Sequence, residues 1–300
     1  MSASLTVATT VDDALSALAG GARVVAGGTD LVVGARQGKA PLPEQLIAIH
    51  RLTELRRINQ SDEALRAGAL TTHADLVADT TVRRQLTALA DACAIVGSHA
   101  TRAVGTIGGN LMNASPAMES GGPLLCFGST VTLRSAQGSR TLGIAELLAG
   151  PGRTTAQPGE LLESVTIPFP PAAAGSSYVR LEYRRQMEIA VVGATAVVAF
   201  GDGKITHARV AITALAPTIR RVEEAEQALL GSDGGSDAAG AASRAVAEAS
   251  LPITDVRAST RYRKAMAAVI GRRSVEVAVA RARGEQIPIP ASPETHGGLR

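Results

Sequence analysis

The stretch GSHATRAVGTIGGNLMNASPAME, residues 97–119, decides how this chain is read. Small and polar residues dominate it, yet Val104, Ile107 and Leu111 punctuate it and hydrophobic segments flank it. It is too rich in glycine for a helix and too long for a tight turn. Connections of this length inside a hydrophobic domain are functional or disordered. The apolar punctuation argues against disorder, so we read an ordered binding loop. At its centre, Thr106-Ile107-Gly108-Gly109-Asn110 sets two glycines beside a hydroxyl. Glycine lets backbone approach a ligand closely, and consecutive N–H groups make a concavity for anions. A similar element lies upstream, where the apolar run Ala22 to Ala26 ends in Gly27-Gly28-Thr29-Asp30. Either Gly-Gly pair alone reads first as a plain turn. Two of them in one domain point to a diphosphate gripped from two sides. Neither fits the dinucleotide G-x-G-x-x-G pattern or the P-loop.

Outward from these loops the chain alternates short strands and helices. Val11 to Ala19 is amphipathic and closed by Gly20-Gly21, a helix with its C-terminal cap. Leu46 to Ile49 and Ala64 to Ala69 read as buried strands, and Thr71 or Thr72 caps a helix through Leu76. Val82 to Val96 carries apolar residues at three and four spacing, which predicts one continuous helix. Residues 131–133 and 140–142 flank a hairpin turn, and Leu161 to Ile167 is a strand stopped by Pro168. The Pro/Ala/Gly run from Pro168 to Gly175 is the expected domain boundary. Beyond it come a hairpin (Thr195 to Phe200, Ile205 to Leu215) and helices over 219–230, 238–249 and about 258–282, then a tail from residue 286 to 300 read as an extended arm.

Composition excludes several function classes. The 300 residues carry a net charge of +3, and aromatic residues make up 2% with no Trp. None of the six aromatics precedes Phe127, so base-stacking platforms for single-stranded nucleic acid are missing from the first 126 residues. Arginine pairs recur but are interleaved with Glu or apolar residues, which reads as solvated helix faces rather than a nucleic-acid stripe. Cys93 and Cys126 are too few for a disulfide framework or an unaided iron–sulfur cluster. The start lacks a basic segment followed by an apolar one, and no apolar run approaches the ~20 residues of a membrane span. A cytoplasmic protein is the expectation. The histidines show no metal-ligand spacing, and no G-x-S-x-G elbow supports a hydrolase.

Val24-Val-Ala-Gly-Gly-Thr-Asp-Leu31, with Thr106-Ile-Gly-Gly-Asn110 and Asn113-Ala-Ser-Pro-Ala117, resembles the FAD-binding medium subunit of the molybdenum hydroxylases. That family includes xanthine dehydrogenase and carbon monoxide dehydrogenase. Three further segments continue the resemblance in order along roughly residues 1–285: Pro158 to Pro168, Glu188 to Ala194, and Asp255 to Arg263. It implies an α+β fold: a two-lobed FAD-binding domain of the PCMH type over residues 1–170 (lobes about 1–60 and 61–170), followed over 171–285 by a smaller α+β domain of antiparallel sheet plus helices.

The resemblance also assigns residues. Ala26, Gly27, Gly28, Thr29 and Asp30, flanked by Val25 and Leu31, would wrap the FAD pyrophosphate. Thr106, Ile107, Gly108, Gly109 and Asn110, in the stretch that Gly97 opens, would close on the same diphosphate and the ribityl chain. Ser115 and Glu119 fall on the flavin side, with Glu119 one methylene longer than the family's usual Asp. Leu162 and Arg180 fall near the ring, where Arg180 would stabilise negative charge on the reduced flavin. Val96 and Ile189 align with positions where some members carry an aromatic. No catalytic or metal-binding residue is assigned to this chain. Substrate oxidation is expected at molybdopterin on a large partner subunit, with electrons passing through 2Fe-2S clusters on a small one to FAD and then to an external acceptor. Two cysteines cannot complete that path alone.

Simpler readings stand beside these. Arg180 can be a solvated strand arginine, Asp30 a helix N-terminal carboxylate, and Glu119 a cap for a turn beginning at Pro123. Two whole-protein rivals also remain: a self-contained flavin oxidase of the same fold superfamily, and a scaffold that has lost FAD.

Overall fold

The computed structural model describes residues 4–38, 41–184 and 186–291. The chain opens with a small parallel sheet in the order β1-β3-β2, from β1 (Ser4–Val7), β2 (Arg23–Val25) and β3 (Gln45–Ala48). Parallel neighbours require crossovers. These are α1 (Val11–Ala19), held by a capping box between Thr10 and Asp13, and α2 (Thr29–Arg36). The apolar stretch from Leu31 is therefore helical. Val11, Ala14 and Leu15 of α1 pack with Ile47, Leu52, Leu55 and Leu161 to form a separate small core.

A five-stranded antiparallel sheet follows, in the order β4-β5-β10-β6-β7. Its members are β4 (Ile58–Gln60), β5 (Ala64–Gly68), β6 (Thr130–Ser135), β7 (Gly138–Gly143) and β10 (Leu161–Pro168). Between β5 and β6 run α3 (His73–Ala78), α4 (Thr80–Gln85), α5 (Thr87–Ile95), α6 (His99–Val104), α7 (Ile107–Asn113) and α8 (Gly121–Cys126). A short helix α9 (Ile144–Leu147) and a ribbon of β8 (Leu148–Gly150) and β9 (Arg153–Thr154) precede β10. The core here is Leu, Ile, Val and Ala with Met118, Phe127 and both cysteines, as expected of a segment so poor in aromatics.

The last unit is a four-stranded antiparallel sheet in sequential order: β11 (Ala174–Leu181), β12 (Val192–Gly201), β13 (Lys204–Thr213) and β14 (Arg220–Arg221). Helices α10 (Glu223–Leu229), α11 (Ser236–Glu248) and α12 (Thr260–Ala282) cover it. Gly175 lets β11 reach α12: a Cβ there would lie 2.1 Å from the Ala278 carbonyl oxygen.

Three sequence expectations change. Residues 97–119 contain two helices, because Ser98 and Thr106 each accept a hydrogen bond from the backbone three residues on and start a turn despite the glycines. The expected helix 82–96 is two, broken at Leu86 (φ −118°, ψ 47°). The helix expected from Ile219 begins at Glu223, since Arg220 and Arg221 pair with Ile212 and Ala211 as an edge strand. Of the tail, residues 292–300 lie outside the described residues; Ala291 is buried, its N–H donating to Asp91.

Candidate cofactor site

Two glycine segments from opposite ends of the first 110 residues touch. A Cβ on Gly27 would sit 1.9 Å from the Val104 carbonyl oxygen and 3.2 Å from the Gly105 Cα. A Cβ on Gly105 would lie 3.7 Å from Thr29 Oγ1 and 3.5 Å from His73 Cδ2. Gly28 adopts φ +69° at the entry to α2, and no side chain caps that helix. Its first-turn amides thus have no intrahelical partner, a favourable setting for an anion. On the other segment, Thr106 Oγ1 accepts the Gly109 N–H at 3.0 Å. A Cβ on Gly108 would lie 2.7 Å from the Ala69 Cβ, so only glycine lets α7 rest on the end of β5.

This packing brings Val25, Ala26, Gly27, Gly28, Thr29, Asp30 and Leu31 (the end of β2 and first turn of α2) against the segment that leads into Thr106, Ile107, Gly108, Gly109 and Asn110. Individual side chains differ in what they can offer a ligand. Ile107 is fully buried and Leu162 nearly so, both in the main core. Their contribution to a ligand surface is backbone or the floor beneath it. Asn110 Oδ1 accepts the Ser120 hydroxyl at 2.7 Å, and Ser115 Oγ accepts the Ala117 N–H at 3.2 Å. Gly97, at φ +51°, accepts the Met187 N–H through its carbonyl at 2.9 Å, tying the segment after β11 to the start of α6. Ile189 is exposed and Val96 half-buried, so both aliphatic positions have accessible surface.

Arg180 is not a solvated strand arginine; its side chain has no exposure. Nη1 donates to Glu119 Oε1 at 2.6 Å and Nε donates to Glu182 Oε2 at 2.5 Å, with the Glu188 carbonyl at 3.4 Å. Glu119 precedes α8 rather than capping it, and its carboxyl faces the guanidinium across the boundary between the two larger sheets. Burial pushes the Glu119 carboxyl up, against the pull of Arg180.

Behind the glycine seam lies a pair that the sequence reading did not single out. His73, the first residue of α3, is 2% exposed, and its Nδ1 is 3.4 Å from Cys93 Sγ on α5. Its N–H donates to the Gly105 carbonyl at 3.0 Å. Burial, with the Arg102 charge nearby, lowers the imidazole to about 4, so it is neutral at physiological pH. Glu182, the residue just after β11, also escaped notice. Among the described residues no cluster of His, Cys, Asp or Glu could hold a metal, and no helix is long and apolar enough to cross a membrane.

Comparison with known proteins agrees with this arrangement. Residues 1–170 match the family described as the FAD binding domain in molybdopterin dehydrogenase, and residues 177–278 the CO dehydrogenase flavoprotein C-terminal domain. The chain is 34% identical to the alpha subunit of the 6-hydroxypseudooxynicotine dehydrogenase complex of Paenarthrobacter nicotinovorans, over 92% of this chain and 94% of that one. It is 30% identical to the carbon monoxide dehydrogenase medium chain of Afipia carboxidovorans, over 90% and 93%. In solved structures it resembles a chain of the Hydrogenophaga pseudoflava carbon monoxide dehydrogenase with a TM-score of 0.89, at 29% identity over 94% of this chain and 98% of that one. A chain of quinoline 2-oxidoreductase from Pseudomonas putida 86 gives 0.88, at 27% identity over 94% and 98%. With matched domains along almost its whole length, in the same order and fold, this chain belongs to the FAD-binding medium subunits of the molybdopterin dehydrogenases, an oxidoreductase family.

Proposed function

We propose that residues 25–31 and 106–110 grip the diphosphate of FAD, with Gly97, Ser115, Glu119, Leu162 and Arg180 lining the flavin side, and that the chain relays electrons within a cytoplasmic heteromeric complex. The observation that carries this reading is the contact of Gly27 with Val104 and Gly105, which sets the uncapped first turn of α2 beside the segment leading into α7, with no side chain at Gly27 between them. That cradle fits a diphosphate: glycine gives access, the first-turn amides of α2 give donors, and Thr29 and Thr106 add hydroxyls. Bound FAD supplies the redox chemistry, while the protein supplies binding, orientation and electrostatics. Ile107, Leu111 and Leu162 form a dry floor beneath the loops, and aliphatic contact is adequate for burying a ring.

Electrons would come from a small subunit with 2Fe-2S clusters and, before that, from a large molybdopterin subunit. The support is that relatives are named as subunits of complexes and that this chain offers only two cysteines, both buried and unpaired. Those reduced thiols also fit a cytoplasmic setting. The purified chain should be yellow, and acid precipitation should release FAD into the supernatant. A colourless protein that cannot be reconstituted with FAD overturns the reading; flavin that stays with the pellet transfers it to a covalent oxidase. Co-purification of molybdenum- and iron-containing chains with a tagged version tests the heteromer.

A further inference from the structure

Arg180 serves two carboxylates in a place with almost no water. Its side chain has no exposure, and those of Glu119 and Glu182 are each 9% exposed. Two ionised carboxylates against one guanidinium would leave an excess negative charge without compensating hydration, which is costly. Like charges sharing a site disfavour each other's ionisation, so one carboxyl holds a proton more readily than the other. The contacts decide which. Glu182 sets one oxygen, Oε2, against the edge of Arg180 that carries Nε and Nη2, whereas Glu119 Oε1 accepts from Nη1. An oxygen set against two nitrogens of the guanidinium is the better compensated one.

We infer that Glu119 is a proton-binding site whose affinity is set by Glu182, because Glu182 satisfies the charge of the one guanidinium the two share. The surroundings were weighed for groups that would reverse this. Arg102 on α6 adds positive charge on that side, but its Nη1 donates to the Val96 carbonyl. Arg184 is taken by Glu188 at 3.1 Å. Cys93 on α5 and Tyr178 on β11 are neutral acids, both pushed up by burial and by Glu119 itself. Burial acts on Glu119 in the same direction.

The link to the flavin rests on the cofactor reading above. Where Glu119 is ionised in the oxidised protein, two electrons delivered to bound FAD by one-electron donors add negative charge beside it. One proton from water then joins the Glu119 carboxylate, COO⁻ plus H⁺ giving COOH, and no other bond changes at this residue. Arg180 therefore does not face the ring as an uncompensated cation. The Glu119–Arg180–Glu182 group answers reduction by taking up a proton.

The titration itself needs no cofactor. In the chain labelled with ¹³C at glutamate side chains, the Glu119 carboxyl resonance is identified by its loss in Glu119→Gln and followed against pH. Its midpoint should lie above 4.5, the ordinary glutamate value. It should fall by at least about one pH unit in Glu182→Gln and stay raised in Glu182→Asp, which keeps the charge. A wild-type midpoint at or below 4.5 overturns the proposal. So does a midpoint that Glu182→Gln leaves unmoved or that Glu182→Asp lowers as much. If Glu182→Gln does not fold, the wild-type and Glu182→Asp titrations still decide. In FAD-loaded protein the midpoint potential should fall with pH more steeply in wild type than in Glu119→Gln, by one proton per electron pair. Equal slopes overturn the coupling. A chain that binds no FAD at all counts against the cofactor assignment and leaves the titration readable.

Discussion

Gly27 carries the tightest steric demand at the candidate site, since any side chain there would overlap the Val104 carbonyl at 1.9 Å. Gly27→Ala should force the two loops apart, costing about 1–3 kcal/mol as an overpacked contact does. The flavin-to-protein ratio should drop roughly tenfold or more, since about 1.4 kcal/mol is already a factor of ten. Absorbance of the purified variant checks the flavin loss, and thermal melting checks the stability cost. His73 makes a different demand. Its imidazole is held at about 4 by burial, against an ordinary value of 6.5. The unfolded chain therefore binds the proton more readily between these pH values. Stability should be full above pH 6.5 and decline as pH falls to about 4, by up to ~3 kcal/mol from this group. Urea unfolding across that window should show the slope in wild type and a flatter one in His73→Gln. Gly27 was legible as part of a motif. His73 was not, because nothing in the spacing of residues 73, 93 and 105 announces that they meet.

At the scale of elements, two threonines and a serine set where the helices begin. Thr72, Ser98 and Thr106 each accept a backbone N–H three residues on. Thr106→Ala should remove about 1 kcal/mol and let the Gly109 amide exchange faster, which hydrogen exchange by NMR checks. Capping is local, so these signals were present in the sequence; Thr72 was legible as a cap, whereas the density of glycine in residues 97–119 masked Ser98 and Thr106. The break at Leu86 is a different case. Thr87 Oγ1 donates to the Ser176 carbonyl at 2.7 Å and the Ala88 N–H donates to Ser176 Oγ at 3.0 Å. A strand almost ninety residues away thus supplies the partners that start α5, and no helical periodicity in residues 82–96 could report it. The segment 251–263 is held from afar where the Leu251 N–H donates to the Leu215 carbonyl and Arg263 to the Val191 carbonyl, and from within around Asp255. Burial alone would raise Asp255, but the Arg257 N–H and the Arg263 guanidinium hold it at about 2. Its stabilising effect is present above its unfolded value of 3.8 and is lost as pH falls through about 2. Asp255→Asn should therefore lower the melting temperature at pH 7 and converge with wild type near pH 2.

At the scale of the molecule, one buried ion pair joins the FAD-binding region to the end of the chain. Asp91 on α5 has no exposure; it accepts from Arg281 on α12 at 2.6 and 3.0 Å and from the backbone N–H groups of Tyr178 and Ala291. Arg281 in turn donates to the carbonyls of Ser176, Ile287 and Pro288. Asp91→Ala strands a buried guanidinium and should cost about 3–5 kcal/mol. Calorimetry should show a lower melting temperature, and limited proteolysis should cut residues 286–291 sooner than in wild type.

The sequence by itself determined the class of fold, the two glycine segments, the order of the motifs and the poverty in aromatics that gives an aliphatic floor. Those features are written in neighbouring residues, where turn chemistry, capping and periodicity act. Only the tertiary structure decided that Gly27 touches Val104, that His73 meets Cys93, and that Arg180 is shared by Glu119 and Glu182. Each of these pairs residues distant in sequence or depends on exclusion of water, and burial is a property of the packed chain rather than of any stretch of it.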